Sequence, residues 1–281
     1  MTIPTSDLSV TMPPQKRLQA RYGADIGFVP PEWNETLDLL LAHRTVRHYL
    51  PRKVPEGVLE LLVAAAQSAS SSSNLQAWSV IAVEDAERKV RLAGFSGNNP
   101  HINAAPLLLV WLIDLKRLRD IAVSQGHEGE GLDYLESFLV GAIDAALAAQ
   151  NAVVAAESLG LGTCYIGGMR NEPENVAHEL GLPAGVVAVF GMTVGYPDPV
   201  VGTDVKPRLP QSAVLFREHY GQVSWADLDA YDARMKKFQA GQNMPQNGWQ
   251  SVLARRVASG EVLKERARLG EILRRMGFPL R

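Results

Sequence analysis

The chain has 281 residues, and its 28 lysines and arginines nearly balance 30 aspartates and glutamates, for a formal net charge of −2. Such a balance argues against nucleic acid or an anionic membrane surface as a general partner. Apolar residues make up 46% and charged residues 21%, as in a folded globular protein. The single cysteine, Cys164, excludes an internal disulfide framework and a zinc site with several cysteine ligands, and it fits a reducing compartment.

No targeting or membrane-spanning segment is predicted. The N-terminal sequence lacks the apolar stretch of a signal peptide, and the strongly apolar run 104–113 has about half the length of a membrane span. A longer apolar stretch, 138–160, is interrupted by Asp144 and Glu157. We therefore expect a cytoplasmic protein.

Three parts are expected along the chain. Residues 1–33 contain five prolines and little hydrophobic periodicity, which predicts an N-terminal arm, disordered over some or all of its length. Asn34 is a candidate helix N-cap, so the ordered domain is expected to span 34–220. The character of the sequence changes after Gly221, and a helical C-terminal extension is expected over 221–281.

Within the domain, hydrophobic spacing predicts two early helices and three strands. The first helix follows Asn34 and places three leucines on one face, Leu37, Leu40 and Leu41. The second helix spans 56–68, and its inward side chains are expected to be Val58, Leu61, Leu62 and Ala65. Strands are predicted, from their apolar and β-branched runs, at 78–83, 107–113 and 186–196.

The segment 134–159 is predicted to be a central helix. It holds eight alanines between Ala142 and Ala156 and is apolar nearly all round, which is typical of a helix that is buried on all sides. Small side chains let neighbouring helices approach closely, so two interpretations stay open. The helix lies in the core of one subunit, or it lies at a subunit interface.

The last part of the extension is basic and amphipathic. Residues 251–281 carry eight basic and three acidic side chains, a local net charge of +5. An apolar stripe runs through them, formed by Leu253, Val257, Leu263, Leu269 and Leu273. Two interpretations are open here as well: a solvated tail that packs on its own domain, or a helical arm that clasps a partner subunit.

Four polar segments suit a ligand site better than a purely structural role. They are a cationic run at 43–48, a hydroxyl and amide run at 70–76, a glycine pair within 164–168 and a rigid loop with two cations at 204–210. Singly, each also fits an ordinary helix end, polar loop, tight turn or surface linker. Together they supply cations, hydroxyl groups and backbone N–H groups, the set that a phosphorylated cofactor with a flat polar ring requires.

Other chemical motifs are absent from the sequence. There is no P-loop, and residues 160–162 begin a dinucleotide fingerprint whose third glycine is replaced by Tyr165. His43 and His48 lack the spacing of metal ligands, so no metal site is predicted. Cys164 has no histidine nearby in sequence and is expected to be a buried structural thiol.

The chain resembles the FMN-dependent nitroreductase superfamily in four segments that occur in order: HRTVRHY, SSSSNLQ, QNAVVAAESLGLGTCYIGG and DVKPRLP. The likeness is greatest to the branch of oxygen-insensitive NADPH nitroreductases and NADPH–flavin oxidoreductases, and it covers about residues 36–220. It implies an α+β fold, with a nitroreductase-like mixed sheet, antiparallel in type, wrapped by helices. It also implies a domain-interlocked homodimer, with the central helix at the interface and FMN between the subunits.

The resemblance also assigns roles to individual residues. The implied cofactor-binding residues are His43, Arg44, Thr45, Arg47, Ser71, Asn99, Tyr165, Ile166, Gly167, Gly168, Lys206 and Arg208. Arg44 is implied to meet the FMN phosphate, and Lys206 and Arg208 form a second cationic pair at the same end. Arg47 is implied to lie near the pyrimidine edge of the flavin, which makes it the candidate catalytic residue.

The remaining implied contacts surround the flavin ring. Ser71 matches a position on the partner subunit's side of the site. Gly167 and Gly168 match the loop whose backbone N–H addresses flavin N5. Asn99 stands where the branch usually has glutamine, so the amide chemistry is kept and the side chain is one methylene shorter.

The implied electron donor is NADPH or NADH. The branch places an arginine for the extra phosphate of NADPH where this chain has Ala240, and residues 242–246 carry no cation. Three nearby cations are candidates to replace it: Arg234, Lys236 and Lys237. Lysine lacks the guanidinium fork that binds phosphate in two places, so we expect weak discrimination between the two coenzymes.

Taken together, the resemblance implies an enzyme, an NAD(P)H-dependent FMN nitroreductase or flavin reductase. It is expected to pass electrons to nitroaromatics, quinones or flavins by a ping-pong mechanism. The expected partners are these small-molecule acceptors and a second copy of the chain, without nucleic acid or membrane. Two alternatives stay open: a flavin reductase that supplies a partner monooxygenase, and a non-catalytic flavin-binding protein.

Overall fold

The computed structural model describes residues 12–281. The helices that precede the central one are α1 Pro14–Tyr22, α2 Glu35–Ala42, α3 Val58–Gln67, α4 Ala86–Phe95, α5 Pro100–Ala104 and α6 Lys116–Ser124. The central helix and those after it are α7 Leu135–Ser158, α8 Pro173–Leu180, α9 Trp225–Gly241, α10 Gln250–Arg256, α11 Gly260–Leu263 and α12 Leu269–Arg275. The strands are β1 Trp78–Val83, β2 Leu107–Asp114, β3 Gly162–Ile166 and β4 Val186–Gly195. The three predicted strands are confirmed, and β3 is a strand that the sequence analysis did not predict.

The strands form one antiparallel sheet in the order β1-β2-β4-β3. Alternate side chains of the central strand β2 enter two different cores. Leu107, Leu109 and Trp111 pack with residues of α3 and α7, while Leu108 and Val110 pack with residues of α4 and α8. Helices therefore cover both faces, and the predicted α+β class is confirmed.

The expected mixed character of the sheet needs a correction. Every pairing between named strands is antiparallel. A parallel pairing occurs at an isolated bridge between Thr45 and Thr163. The parallel pairing thus belongs to the segment that precedes α3, and the four strands themselves are purely antiparallel.

Helix α7 lies close against one face of the sheet. Most of its buried side chains are small, among them Ala145, Ala148, Ala149, Ala152 and Ala156. At Gly141, a Cβ atom would lie 2.6 Å from Cγ2 of Ile113 and 3.2 Å from the carbonyl oxygen of Ala77. The helix can approach the strands this closely because Gly141 has no side chain.

The opposite face of α7 is open, which corrects the expectation of a helix buried on all sides. Leu135, Leu139, Ile143 and Leu147 recur every fourth residue and are 48%, 47%, 56% and 44% exposed. We call these four side chains the α7 stripe. An exposed apolar row of this kind is typical of an interaction surface. The inner face of α7 therefore fits the interpretation as a core helix, and the outer face fits the interpretation as a helix at a subunit interface.

Among the described helices, α7 is also long and apolar enough to cross a membrane by length and composition. Its inner face packs on the sheet. Asp144, near its middle, is buried and accepts a hydrogen bond from Ser71. These contacts account for α7 as a core helix.

Part of the predicted N-terminal arm is helical. Helix α1 starts with Pro14, which suits the first helical position, and it ends at Gly23, whose φ of 67° lies in the left-handed region. Asn34 caps α2 as predicted, because its Oδ1 accepts a hydrogen bond of 2.9 Å from the Leu37 N–H. Residues 1–11 of the arm lie outside the described residues.

The second predicted helix is confirmed; of its predicted inward residues Leu61 is wrong, and Ala65 is half-buried outside the main core. Leu62 of α3 is buried in the main core, whereas Leu61 is 52% exposed. The row that faces the core contains Val58, Leu62 and Ala66 at a spacing of four. Leu61 is one residue off this row, and the helix turns it away from the core.

The apolar stripe of the C-terminal extension divides into two parts. Val257 is 69% exposed, and Leu253 and Leu263 are also exposed. Leu273 is buried, and Leu269 packs beside it in the core that contains Phe278. The end of the chain therefore packs on its own domain, whereas the apolar side chains of the stripe that precede α12 are exposed.

Contacts between residues divide the chain into two compact units. The first unit comprises Met1–Arg44 and Thr203–Val262, described from residue 12, and it contains α1, α2, α9 and α10. The second unit comprises Thr45–Gly202 and Leu263–Arg281, and it contains the sheet, α3 to α8 and α12. The boundaries expected from composition, after residues 33 and 220, remain a proposal about how the sequence is divided.

Candidate active site

In the second unit, the backbone on both sides of Arg47 is anchored to the sheet. The Val46 N–H donates to the carbonyl oxygen of Thr163 at 2.9 Å, and the Leu50 N–H donates to that of Tyr196 at 2.9 Å. Arg47 itself is exposed. Its guanidinium group therefore extends from a fixed piece of backbone.

The glycine pair after β3 is held by two contacts. At Gly168, a Cβ atom would overlap the carbonyl oxygen of Ser96 and lie 2.8 Å from the Ser96 Cβ. The same Ser96 carbonyl accepts a hydrogen bond of 2.8 Å from Nδ2 of Asn99. Arg266, near the end of the chain, donates to the carbonyl oxygen of Gly167 at 2.9 Å. The sequence analysis missed Arg266, since nothing local connects it to the glycine pair.

Cys164 is buried as expected, but it has a histidine neighbour in space. Its Sγ lies 3.7 Å from Nε2 of His101 on α5. Burial lowers the pKa of His101, and the positive charges of Arg47 and His48 lower it further. The charged form of His101 is therefore disfavoured, and its surroundings include both Arg47 and Cys164.

These contacts bring most of the predicted ring-side residues into one neighbourhood of the second unit. We call this set the glycine-loop cluster, and its members are Arg47, Asn99, Tyr165, Ile166, Gly167 and Gly168. Thr45 joins it through the bridge to Thr163 at the start of β3. The cluster combines one exposed cation, one amide and a stretch of backbone without side chains.

The serine-rich run is tied to α7 by one buried carboxylate. Asp144 accepts hydrogen bonds from Oγ of Ser71 at 2.7 Å, from the Ser72 N–H at 3.2 Å and from the Ala77 N–H at 3.2 Å. The Ser71 hydroxyl in turn accepts from the Gln76 N–H at 2.8 Å. Within one chain Ser71 thus orders its own loop. Asp144 was noted in the sequence only as an interruption of an apolar run.

In the first unit, a buried arginine of α1 joins the two predicted cationic segments. Nη2 of Arg21 donates to the carbonyl oxygens of Leu41 at 2.9 Å and His43 at 2.6 Å, and Nη1 donates to that of Lys206 at 3.1 Å. The Arg21 carbonyl oxygen accepts from the Arg208 N–H at 2.9 Å. The structure therefore brings together a second set, which we call the cation cluster: His43, Arg44, Lys206 and Arg208.

The loop that carries Lys206 and Arg208 is also fixed from α9. The Tyr231 hydroxyl donates to the carbonyl oxygen of Pro207 at 3.2 Å. A Cβ atom at Gly23 would lie 3.1 Å from Cγ of Pro207, so the end of α1 packs directly on this loop. Three consecutive residues of the loop are thus anchored through their backbone, which predicts a rigid presentation of the cations.

Three arginine side chains of these clusters are accessible to a ligand. Arg44, Arg47 and Arg208 are exposed, and none of them forms a side-chain hydrogen bond or an ion pair with residues 12–281. Lys206 differs, since its Nζ lies 5.8 Å from the centroid of the Phe238 ring. Arginines on anchored backbone that the protein leaves unused suit an anionic ligand with phosphate oxygens.

The three candidate cations for the extra NADPH phosphate differ in availability. Lys236 pairs with Asp232 at 2.9 Å, and the Arg234 guanidinium lies 6.0 Å from the centroid of the Tyr231 ring. Lys237 is exposed and forms no ion pair or side-chain hydrogen bond within residues 12–281. Ala240 is exposed at the end of α9. Lys237 is therefore the most accessible of the three.

No metal chemistry is indicated by the described part of the chain, in which no group of three or more His, Cys, Asp or Glu side chains is arranged to hold an ion. The donor set consists of guanidinium groups, an amide and glycine backbone. Such a set is suited to bind and orient a phosphorylated, flat, electron-accepting ligand that itself supplies the redox chemistry.

Comparison with known proteins gives a consistent result. The sequence profile of the nitroreductase family matches residues 40–196, and that of the family's C-terminal domain matches residues 206–281. The NADPH-flavin oxidoreductase of Vibrio harveyi is 37% identical over 213 residues, which cover 76% of this chain and 86% of that protein. The oxygen-insensitive NADPH nitroreductase of Salmonella typhimurium is 34% identical over 248 residues, which cover 88% of this chain and 99% of that protein.

A solved structure supports the same assignment. NfrA2 of B. megaterium superposes with a TM-score of 0.83 at 35% sequence identity, over 89% of this chain and 100% of that chain. Helix α1 precedes the residues that the family profiles match. The profile, the two similar enzymes and the superposition agree, and the chain belongs to the nitroreductase family.

Proposed function

We propose that the chain is an FMN-dependent oxidoreductase that passes electrons from NADPH or NADH to nitroaromatics, quinones or free flavins by a ping-pong mechanism. The family supports this, as do the flavin-reducing and nitro-reducing activities in the names of the two similar enzymes. The observation that carries the proposal is the set of three exposed arginines on anchored backbone, Arg44, Arg47 and Arg208.

The cation cluster fits the phosphate of FMN. Arg44 and Arg208 offer guanidinium forks, which match phosphate oxygens in two places, and Lys206 adds a third charge. Because Arg21 ties the two segments to each other, these cations are ordered before the ligand arrives. Pre-ordered groups lose less conformational entropy on binding than flexible ones.

The glycine-loop cluster fits the flavin ring. Gly167 and Gly168 expose backbone without a side chain, so a flat ring can lie against them. Asn99 uses its Nδ2 to bind Ser96, while its Oδ1 accepts no hydrogen bond from the described residues. Arg47 supplies positive charge for the electron-rich edge of the ring. FMN, when bound, supplies the electron-transfer chemistry, and the protein binds and orients it.

A visible spectrum tests the cofactor assignment. The purified full-length protein is expected to be yellow with non-covalently bound FMN, and its absorbance is expected to bleach under NADPH and under NADH. Initial rates at several fixed acceptor concentrations are expected to give the parallel double-reciprocal lines of a ping-pong cycle. A colourless protein that cannot be reconstituted with FMN would overturn the proposal.

A homodimer is proposed from the α7 stripe. Its four exposed apolar side chains form one row, and Leu61 on helix α3 is exposed as well, a pattern typical of an interaction surface. We propose that a second copy covers this surface and that Ser71 reaches the partner's site, which would make the dimer interlocked. Light scattering is expected to give twice the chain mass, and Ile143→Asp is expected to shift it towards one chain mass.

A second function is favoured by one comparison. The similar Vibrio harveyi enzyme is named for flavin reduction, so release of reduced flavin to a partner monooxygenase is the alternative to direct reduction of nitro compounds. Turnover with free FMN and an added monooxygenase, set against turnover with a nitroaromatic, separates the two. A protein that binds FMN but oxidises neither coenzyme steadily would instead be a non-catalytic flavin-binding protein.

The remaining proposals concern the cellular location and the partners of the protein. A cytoplasmic location is proposed from the single buried thiol, which fits a reducing compartment. The partners proposed are small-molecule acceptors and a second copy of the chain. Fractionation of the source cells, with activity followed in each fraction, tests the location directly.

A further inference from the structure

We infer that Arg21, on a helix that precedes the residues matched by the family profiles, is a positioning residue for FMN binding. Arg21 touches no ligand in this arrangement and acts through the backbone of the cation cluster. The inference rests on the proposed function, because it assigns Arg21 to the cluster proposed to bind the FMN phosphate.

Burial and geometry distinguish Arg21 from an ordinary surface arginine. Only 7% of the residue is exposed, and its guanidinium group is directed at three backbone carbonyl oxygens on two separate segments. A planar guanidinium donates in several fixed directions at once, whereas an ammonium group acts as a compact point charge. Arginine is therefore suited to hold residue 43 and residue 206 at a fixed separation.

The connection to the ligand runs through neighbouring residues. His43 immediately precedes Arg44, and Lys206 lies two residues before Arg208, whose own N–H is bound by the Arg21 carbonyl. Without Arg21, both segments lose their shared anchor, and three partly buried carbonyl groups lose a donor. The exposed guanidinium groups of Arg44 and Arg208 would then lie on backbone that moves more freely.

The same helix provides a matched control. Arg17, one turn earlier on α1, forms a two-point ion pair with Asp38 of α2 at 2.9 and 2.7 Å. This pair also attaches α1 to the first unit, but it makes no hydrogen bond to the cation cluster within the described chain. Arg17→Gln therefore weakens the attachment of α1 and leaves the anchor of the cations in place.

The test compares two flavins that differ only in the phosphate group. FMN and riboflavin are titrated into the full-length protein after removal of its cofactor, and flavin fluorescence reports binding. For Arg21→Gln we expect the Kd for FMN to rise roughly tenfold, in the range seen for residues that orient ligand-binding groups. The Kd for riboflavin is expected to change less than about twofold, and Arg17→Gln is expected to leave both values near those of the wild type.

Each outcome has a defined meaning. Equal weakening of FMN and riboflavin in Arg21→Gln, or equal effects of Arg17→Gln and Arg21→Gln on FMN, would show a merely structural role and overturn the inference. If Arg21→Gln does not fold, Arg21→Lys decides, because it keeps the charge and loses the fork: a raised Kd for FMN alone supports the inference, and an unchanged Kd overturns it. A wild-type protein that binds neither flavin contradicts the proposed function itself.

Discussion

The cation cluster of the first unit and the glycine-loop cluster of the second unit share one kind of contact and differ in a second. In both, a guanidinium group binds backbone carbonyl oxygens: Arg21 in the first and Arg266 in the second. The glycine-loop cluster depends in addition on close packing, since Gly168 leaves no room for a side chain beside Ser96. A hydrogen-bonded anchor tolerates small changes of side-chain size but fails when its donor is lost. Close packing does not depend on a donor, but it is disturbed by one added methyl group.

The largest expected effect is at the cation cluster. Arg208→Ala removes a charge-assisted contact to phosphate, which is worth about 1.5–3 kcal/mol, so FMN binding is expected to weaken roughly ten- to hundredfold. Riboflavin, which lacks the phosphate, serves as the control ligand and is expected to bind nearly as before. An equal loss for both flavins would mean that Arg208 contacts the ring or supports the fold.

The next effect tests the close packing of the glycine-loop cluster by adding one methyl group. Gly168→Ala places Cβ against the backbone of Ser96, and the overpacking is expected to lower the free energy of unfolding by about 1–3 kcal/mol. Gly167→Ala is the matched control, because its Cβ would lie 3.5 Å from the Arg170 guanidinium, an ordinary van der Waals distance. Chemical denaturation measures both variants, and equal values for the two would contradict the packing account.

A smaller effect is expected from the exposed cation of the glycine-loop cluster. Arg47→Ala removes positive charge near the proposed electron-rich edge of the flavin, so the midpoint potential should fall by roughly 20 mV, equivalent to about 1 kcal/mol for two electrons. FMN occupancy is expected to stay largely intact, and Arg47→Lys is expected to recover part of the shift. An unchanged potential would leave Arg47 with a packing or capping role.

The smallest effect concerns the choice of coenzyme. With Ala240 exposed at the proposed position and Lys237 as the accessible cation, the ratio of kcat/KM for NADPH to that for NADH is expected to stay below about tenfold, less than 1.4 kcal/mol. Lys237→Ala is expected to bring the ratio closer to one. A preference above roughly a hundredfold would show that another cation, such as Arg234, binds the phosphate.

Much of the second unit could be predicted from the sequence. The strands β1, β2 and β4 have runs of apolar and β-branched residues that are typical of buried strands. Short β3 was not predicted, because its five residues include a glycine and a cysteine beside a glycine-rich turn. Its position is fixed by pairing with β4, which no local pattern reveals.

The first unit was harder to predict. Helix α1 is mostly polar and buries only Leu18 and Arg21, so hydrophobic periodicity gives little indication of it. Arg21 stands among other basic residues, and its role appears only when the chain returns to α1 at residues 206–208. The candidate residues themselves were named from the family resemblance, while the residues that hold them, Arg21, Asp144 and Arg266, required the three-dimensional arrangement.

The α7 stripe has a consequence for how the stability of this protein must be measured. If a second copy covers this face, as proposed above, association stabilises the folded state, and the melting temperature is expected to rise with protein concentration. Each tenfold increase in concentration favours the paired state by about 1.4 kcal/mol per mole of dimer. Variants compared at different concentrations would thus differ in apparent stability without any difference in their folds.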